Sequence, residues 1–256
     1  QCKLQPFFGT RSMAHAQQRR ALSGPALIRI LARLTDVDVS ASAQPLSGRL
    51  SQWLSWTDAI TLLSALSAAP PASASSTRPV GPDAETIGGR VRAALTKSIA
   101  SSCAPDARPG PRAPIQNPSV PVVVDYADFR QRYVLMQQTM ELEISDLRGR
   151  LRRLLAARTP DLARLAVLDA SMEQALAGRE RSLLGAIPAM LGPYFERLRA
   201  AEQQRQAQLP AEGQATPSTS RAWLDAFRKD MQSVLQAELD VRFQPIDGLL
   251  AALRSR

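Results

Sequence analysis

The segment DYADFRQRYVLMQQTMELEISDLRGRLRRLLAAR, residues 125–158, decides the fold of this chain. Its larger apolar side chains recur every three or four residues, at Tyr126, Phe129, Tyr133, Met136, Met140, Ile144, Leu147, Leu151 and Leu154. Because an α-helix has 3.6 residues per turn, this spacing places all of them on one face. Asp125 is a natural N-cap, and Asp128 follows in the first turn, where the helix dipole favours an anion. The segment therefore predicts one long helix with a continuous apolar stripe.

A second helical pattern begins at Thr159, directly after the first. Threonine is a suitable N-cap, and Pro160 takes the first helical position, where a missing backbone N–H costs little. The apolar positions of this pattern are Leu162, Leu165, Leu168, Met172, Leu176, Leu183, Ile187, Met190, Tyr194 and Leu198. Pro188 and Pro193 fall inside it, and each removes a backbone donor, so we expect a kink or a break there. Residues 125–204 are therefore predicted to form two antiparallel helices, the second one bent, with a single bent rod as the alternative.

The rest of the chain alternates between helical patterns and segments rich in proline, serine and alanine. The predicted parts are a disordered tail (1–22), a helical hairpin (23–67), a Pro/Ser/Ala-rich linker (68–82), a short helix (83–101), a Pro-rich linker (102–124), the long helical pair (125–204), a loop (205–220) and a C-terminal helix (221–256). We expect the C-terminal helix to pack along the long pair as a third member of the bundle. The hairpin is too small to be stable alone, so it is expected to pack on the long helices or on another chain.

The composition agrees with a helical fold. Aromatic residues make up only 5% of the 256 residues, and no sustained alternation of apolar and polar residues indicates a strand. The predicted fold class is all-α, an elongated bundle of long amphipathic, coiled-coil-like helices with a small N-terminal helical hairpin. No uncharged apolar run approaches the ~20 residues that a membrane-spanning helix needs, so no transmembrane segment is predicted. Met13 is the candidate native start, and residues 1–12 would then be an upstream remnant.

The sequence is poor in the residues that carry out enzyme chemistry. His15 is the only histidine, and Cys2 and Cys103 are the only cysteines. The sequence therefore does not support a Ser-His-Asp or Cys-His arrangement. Nor does it support a zinc or histidine-based metal site or a disulfide framework. No glycine-rich phosphate-binding loop occurs either. We predict no catalytic, cofactor-binding or metal-binding residue and expect a protein that is not an enzyme; the competing hypothesis of an enzyme would require a site without histidine or metal.

Basic residues outnumber acidic ones, and the excess is uneven. The formal net charge is +9; residues 1–124 carry 13 basic and 6 acidic residues, whereas residues 125–256 carry 19 and 17. The densest basic run consists of Arg148, Arg150, Arg152, Arg153 and Arg158. Arginine pairs with phosphates and acidic partners, so this run and the basic first half support an alternative function, the binding of nucleic acid or an anionic surface. The favoured interpretation is that these arginines cover the leucine stripe and bridge to acids on a neighbouring helix.

Trp53 and Trp56 lie three residues apart in the second helix of the predicted hairpin. Core packing is the favoured interpretation of this pair. The alternative is a contact with a partner protein, because tryptophan is enriched among the residues that dominate binding energy. Both tryptophans and the five arginines are therefore candidate partner contacts.

The segments SGPALIR (residues 23–29) and LTD (34–36), followed by LSQWLSWTDA (50–59), resemble a family of uncharacterised proteobacterial proteins. Residues 126–153 and 223–250 are similar to the same family. The resemblance implies a cytoplasmic bacterial protein and brings no known activity, cofactor or catalytic residue. Together with the apolar stripes, it favours a non-enzymatic helical interaction or scaffold protein. Such a protein would be an accessory component of a bacterial assembly and would bind a protein partner, or itself, through its helices.

Overall fold

The computed structural model describes residues 25–37, 45–67, 84–105, 124–208 and 221–254. The predicted tail (residues 1–22) and first linker (68–82) lie outside these ranges, as do most of the second linker and most of the loop. The helices of the described residues are α1 (Ala26–Thr35), α2 (Leu46–Trp53), α3 (Trp56–Ser67), α4 (Ala84–Cys103), α5 (Tyr126–Ala156), α6 (Pro160–Gly185), α7 (Ile187–Ala207) and α8 (Ala222–Arg254). No strand occurs in these ranges, and the long helices pack side by side, which confirms the predicted all-α, bundle-like fold.

Helices α5 and α6 form an antiparallel pair. Asp125 caps α5 and Thr159 caps α6, each by accepting a hydrogen bond from a backbone N–H in the first turn. Both caps are at the positions that the sequence predicts. The chain reverses direction between the two helices, since Glu141 of α5 pairs with Arg181 of α6. The two long segments therefore lie side by side and do not continue as one rod.

Helices α5 and α8 lie at the centre of the bundle and run parallel. Tyr133 of α5 donates a hydrogen bond to Glu238 of α8, and beyond the end of α5 Arg158 donates to the carbonyl of Leu253. Helices α6 and α7 pack against this central pair, and so does α4. The C-terminal helix is thus a central member of the bundle.

Helix α4 runs antiparallel to α8. Glu85 at the start of α4 pairs with Arg254 at the end of α8, whereas Thr96 in the second half of α4 contacts Gln236. Arg92 also pairs with carboxylates of α8. The short helix of the sequence prediction is therefore part of the same bundle.

Apolar side chains of α5 and α8 fill much of the core. The buried residues of α5 are Phe129, Tyr133, Met136, Met140, Ile144, Leu147, Leu151 and Leu155, and those of α8 include Phe227, Met231, Val234, Leu235, Leu239, Phe243, Ile246 and Leu249. The structure confirms the predicted stripe except at its end. Leu154 is 37% exposed whereas Leu155 is fully buried, because a step of four from Leu151 keeps the side chain on the buried face.

Aromatic rings of α5, α7 and α8 pack together near the start of α5. The cluster consists of Tyr126, Phe129, Tyr194, Phe195, Trp223 and Phe227. Phe227 is fully buried, and its ring centroid lies 5.0 Å from that of Phe195 and 5.2 Å from that of Phe129, both in edge-to-face geometry. Such edge-to-face pairs contribute free energy beyond the area that they bury. This cluster therefore joins three helices at one point.

The second long segment breaks between α6 and α7, where Pro188 predicts an interruption. Because Pro188 has no backbone N–H, the carbonyl of Leu184 lacks its usual helical donor. Gln137 of α5 fills this role, and its Nε2 donates to that carbonyl at 2.9 Å. The hydroxyl of Tyr126 donates to the carbonyl of Pro188. At Pro193, by contrast, α7 continues without a break.

The parts of the predicted hairpin pack on different long helices. Helix α1 contacts α7 and α8, and Arg197 of α7 donates to the carbonyl of Leu34 at 2.5 Å and pairs with Asp36. Helix α3 packs on α6. The N-terminal helices therefore attach to the bundle, as expected for elements that are too small to be stable alone.

Two adjacent glycines in α4 provide a matched test of this packing. A Cβ at Gly89 would meet no atom within 4 Å, whereas a Cβ at Gly88 would lie 3.0 Å from Cδ1 of Leu250. Gly89→Ala is expected to raise the free energy of unfolding by about 0.5–1 kcal/mol, because alanine is the better helix former. Gly88→Ala should raise the free energy of unfolding by less, because the side chain of Leu250 must move to make room for the added methyl group. Urea denaturation of both variants checks this, and an equal gain for both would contradict the packing of α4 on α8.

Candidate interaction surface

A capping box separates α2 from α3. The backbone N–H of Asp58 donates to Oγ of Ser55 at 3.1 Å, and the backbone N–H of Ser55 donates to Oδ2 of Asp58 at 2.9 Å. Leu54, just after α2, has an extended backbone with φ −83° and ψ 128°. This reciprocal pair starts a new helix at Trp56. The hydrogen bonds from the side chain and the backbone of Ser55 also lower the pKa of Asp58 below its usual value.

Helix α3 uses only one side to pack on α6. Ala65 is buried, and Asp58 and Leu62 are half-buried beside it. The remaining side exposes Trp56 (81%), Ile60 (49%), Leu63 (64%) and Leu66 (54%), and we call these four residues the α3 face. Contiguous apolar surface of this kind marks interaction sites in soluble proteins.

The α3 face carries no charge. Within Trp56–Ser67 the single charged residue is Asp58, and its carboxylate accepts a hydrogen bond from the backbone N–H of Ser55 just before the helix. The polar residues that flank the face are serines and threonines, such as Thr57 and Ser64. The surface therefore favours an apolar partner.

Trp53 and Trp56 do not lie in one helix, contrary to the sequence prediction, and Trp56 is not a core residue. The capping box ends α2 at Trp53 and starts α3 at Trp56. The ring of Trp53 is half-buried, and the guanidinium of Arg179 on α6 lies 5.5 Å from its centroid. Trp56 projects into solvent. Trp53 thus anchors α2 to the bundle, whereas Trp56 belongs to the α3 face.

A groove of about 590 Å³ lies between α5, α6 and α8 next to Trp53. Its apolar lining includes Trp53, Ile144, Leu176, Leu183, Val241 and Pro245, and its charged lining consists of Arg148, Arg179, Arg181, Arg242, Glu141, Glu173 and Glu180. The volume is in the range of small-molecule sites. The groove therefore has the size of a binding site, and its charges decide what it could hold.

Most charged groups of the groove are already paired with one another or with their neighbours. The ion pairs are Arg148 with Asp169 and Glu173, Arg181 with Glu141, and Arg242 with Glu180 and Glu238. Burial alone would lower the pKa of Arg148, but its hydrogen bonds to Asp169 and the nearby charges raise it above its usual value. These internal pairs leave little uncompensated charge for a ligand.

The five arginines of the 148–158 run have different contacts. Arg148 and Arg152 bridge to Asp169 and Glu173 on α6, Arg150 pairs with Asp146, and Arg158 donates to the carbonyl of Leu253. Arg153 is exposed and has no ion pair with any described residue. Of the candidate contacts, Arg148 and Arg152 share the carboxylates of Asp169 and Glu173, and Trp53 and Arg148 both line the groove. Four of the five guanidinium groups are thus engaged within the chain.

A buried polar cluster of Tyr133, Gln137, Glu238 and Arg242 adjoins the groove. Glu238 is fully buried. Its carboxylate accepts hydrogen bonds from the Tyr133 hydroxyl at 2.7 Å, from Gln137 Nε2 at 3.0 and 3.1 Å, and from Arg242 Nε at 3.0 Å. Burial and the charge of Glu238 raise the pKa of Tyr133 far above its usual value. Because every member is satisfied, the cluster can tie α5 to α8 in an apolar core.

Within the described ranges, no group of three histidine, cysteine or acidic residues could hold a metal ion. The part of the groove that the structure describes has no histidine or cysteine in its lining. Cys103 is buried elsewhere, in α4, and burial raises the pKa of its thiol. None of the described helices combines the length and the apolar character that a membrane crossing requires.

The sequence contains signals for two features that helical periodicity alone does not reveal. Ser55 and Asp58 have the three-residue spacing of a capping box, which predicts the start of α3. Glu238 lies four residues after Val234 and directly before Leu239, within the apolar stripe of α8. An acidic residue in an apolar stripe predicts a buried, hydrogen-bonded carboxylate.

The fold and the surface of the described residues define an all-α bundle protein with a buried polar cluster and an exposed apolar helix face. The chain belongs to the DUF3348 family, which is described as a family of proteins of unknown function and whose sequence profile matches residues 13–255. The match confirms the resemblance to an uncharacterised family. No curated protein and no solved structure matches the chain.

Proposed function

We propose that this protein is a non-enzymatic helical interaction protein and that the α3 face binds its protein partner. It would act as an accessory component of a bacterial assembly in the cytoplasm. The observation that supports the binding role is the exposure of Trp56 and Leu63, which are 81% and 64% accessible on one uncharged helix face. Large apolar residues in such a position are typical of residues that a partner covers. The bacterial and cytoplasmic setting rests on the resemblance of the N-terminal segments and of residues 126–153 and 223–250 to uncharacterised proteobacterial proteins.

The charge of the α3 face favours protein over nucleic acid as the partner. Nucleic-acid binding depends on lysine and arginine that neutralise phosphates, and α3 contains neither. The arginine run 148–158 is largely engaged by Asp169, Glu173 and other groups of the same chain. An apolar helix face matches the apolar face of another helix, which is a recurrent mode of protein recognition.

Leu63→Glu is expected to abolish partner binding, because it places a charge at the centre of the α3 face. The measurement is an affinity pull-down from the native cell with quantitative mass spectrometry, at low and at high salt, each with and without nuclease. Leu63 is exposed, so the substitution should change stability by no more than about 0.5 kcal/mol. The variant should therefore fold like the wild type but no longer bind the partner.

Leu142→Glu is the matched control. Leu142 is a 72% exposed leucine on α5, outside the α3 face, and this variant should recover the same partner as the wild type. If every recovered protein binds the wild type and both variants equally, the α3 face is not the binding site. If nucleic acid is recovered and is lost in high salt, the anionic-partner alternative is correct.

A further inference from the structure

The α3 face is suited to a partner that presents no charge. Along its centre lie Trp56, Ile60 and Leu63, and the neighbouring exposed positions are Ala59 and Ser67. We infer that the occupant of this face is the same face of a second copy of the chain, an inference that rests on the proposed function above. Charged partners are recognised through complementary charges. A face without charges offers none, so it disfavours a charged partner. It is compatible with an identical uncharged face on a second copy.

The helical spacing of the face fits a symmetric pairing. A two-fold interface uses the same patch on both copies, so each residue must meet a compatible residue of the same patch. Side chains at steps of four and three form a ridge that can pack beside the identical ridge of a second helix. A two-fold axis near the middle of α3 would bring Leu63 of one copy close to Ile60 or Leu63 of the other. Small residues beside the ridge, such as Ala59, would allow the helices to approach.

The size of the face predicts a weak dimer. The four side chains expose roughly 500 Å² on each copy, which is the size of the largest apolar patch on a typical monomer. Pairing two copies would bury about 1,000 Å², the lower end of specific interfaces. The dissociation constant of the dimer should therefore be micromolar or higher, so that the dimer dissociates on dilution.

Salt should strengthen this dimer, which separates it from a complex between opposite charges. Each copy carries a formal net charge of +9, so two copies repel one another. The range of that repulsion falls from about 10 Å at 0.1 M salt to about 3 Å at 1 M salt. The apolar contact itself does not depend on opposite charges. A complex held by ion pairs or phosphates would weaken under the same change.

The test is sedimentation velocity on the full chain over a range of concentrations, at about 0.1 M and about 1 M salt. The wild type should show a monomer–dimer equilibrium with more dimer at high salt. Leu63→Glu and Leu63→Lys should each weaken the dimer by roughly tenfold or more, because each buries two like charges. An equimolar mixture of the two variants should form a mixed dimer, since opposite charges then meet across the axis. The Leu142→Glu control should dimerise like the wild type.

Three results would overturn the second-copy inference. They are a wild-type monomer at every concentration and both salt levels, a dimer that Leu63→Glu leaves unchanged, and Glu and Lys variants that stay monomeric when mixed. The pull-down described above remains an independent test of the proposed function. A strict monomer that still captures a cellular protein in a Leu63-dependent manner would refute the second copy as the occupant and leave the α3 face as the site of a different protein.

Discussion

Glu238→Ala is expected to lower the free energy of unfolding by about 3–5 kcal/mol, the usual effect of removing one member of a buried ion pair. The substitution would leave Arg242, whose side chain is 9% exposed, with only a more distant carboxylate. It would also remove the acceptor of the Tyr133 hydroxyl and two acceptors of the Gln137 amide. Urea denaturation followed by circular dichroism measures the effect.

Glu180→Ala is the matched control for this prediction. Glu180 pairs with the same arginine at 3.5 Å, but its side chain is 46% exposed. Removing it should change the free energy of unfolding by less than about 1 kcal/mol, as for other surface ion pairs. If the two variants lose the same stability, the buried cluster does not act as an anchor between α5 and α8.

Phe227→Ala is expected to lower the free energy of unfolding by about 3–5 kcal/mol, because it removes a fully buried ring and leaves a cavity. The ring contacts Phe129 of α5 and Phe195 of α7, so its loss loosens three helices together. The measurement is again the urea midpoint, with near-ultraviolet circular dichroism to report the loss of aromatic packing.

Phe227→Leu separates the two contributions to this effect. Leucine retains most of the buried apolar volume and loses the edge-to-face contacts, so its cost should be about 1 kcal/mol. Equal losses for the alanine and leucine variants would show that ring geometry, and not cavity formation, holds the cluster together.

Local spacing predicts the long helices because each signal lies within a few residues of its effect. The steps of three and four in residues 125–158 define the buried face of α5, and the Thr159–Pro160 pair marks the start of α6. Pro188 marks the end of α6, since it cannot donate to the carbonyl of Leu184. Pro193 has the same defect but lies inside α7, so proline alone does not decide where a helix ends.

The spacing of apolar residues does not predict the structure correctly where two local signals compete. It also cannot identify a contact between residues that are distant in sequence. Apolar residues continue through Leu54, so periodicity alone extends one helix across the Ser55 capping box and places both tryptophans in it. Leu154 and Leu155 are the same residue type, so only the bundle decides which one is buried. Nothing near Glu238 in sequence indicates Tyr133 as its partner, 105 residues away.

The parallel arrangement of α5 and α8 has a consequence for the order in which the protein forms. Parallel helices cannot be joined by a tight turn, so α6 and α7 must return along the bundle before α8 can pack against α5. At a synthesis rate of ~5–20 residues per second, the methionine- and leucine-rich stripe of α5 waits roughly 10 s on the ribosome for its central neighbour. Contacts over such distances also slow folding, because long loops must close first. The core is therefore complete only after α8 has been synthesised and has packed against α5.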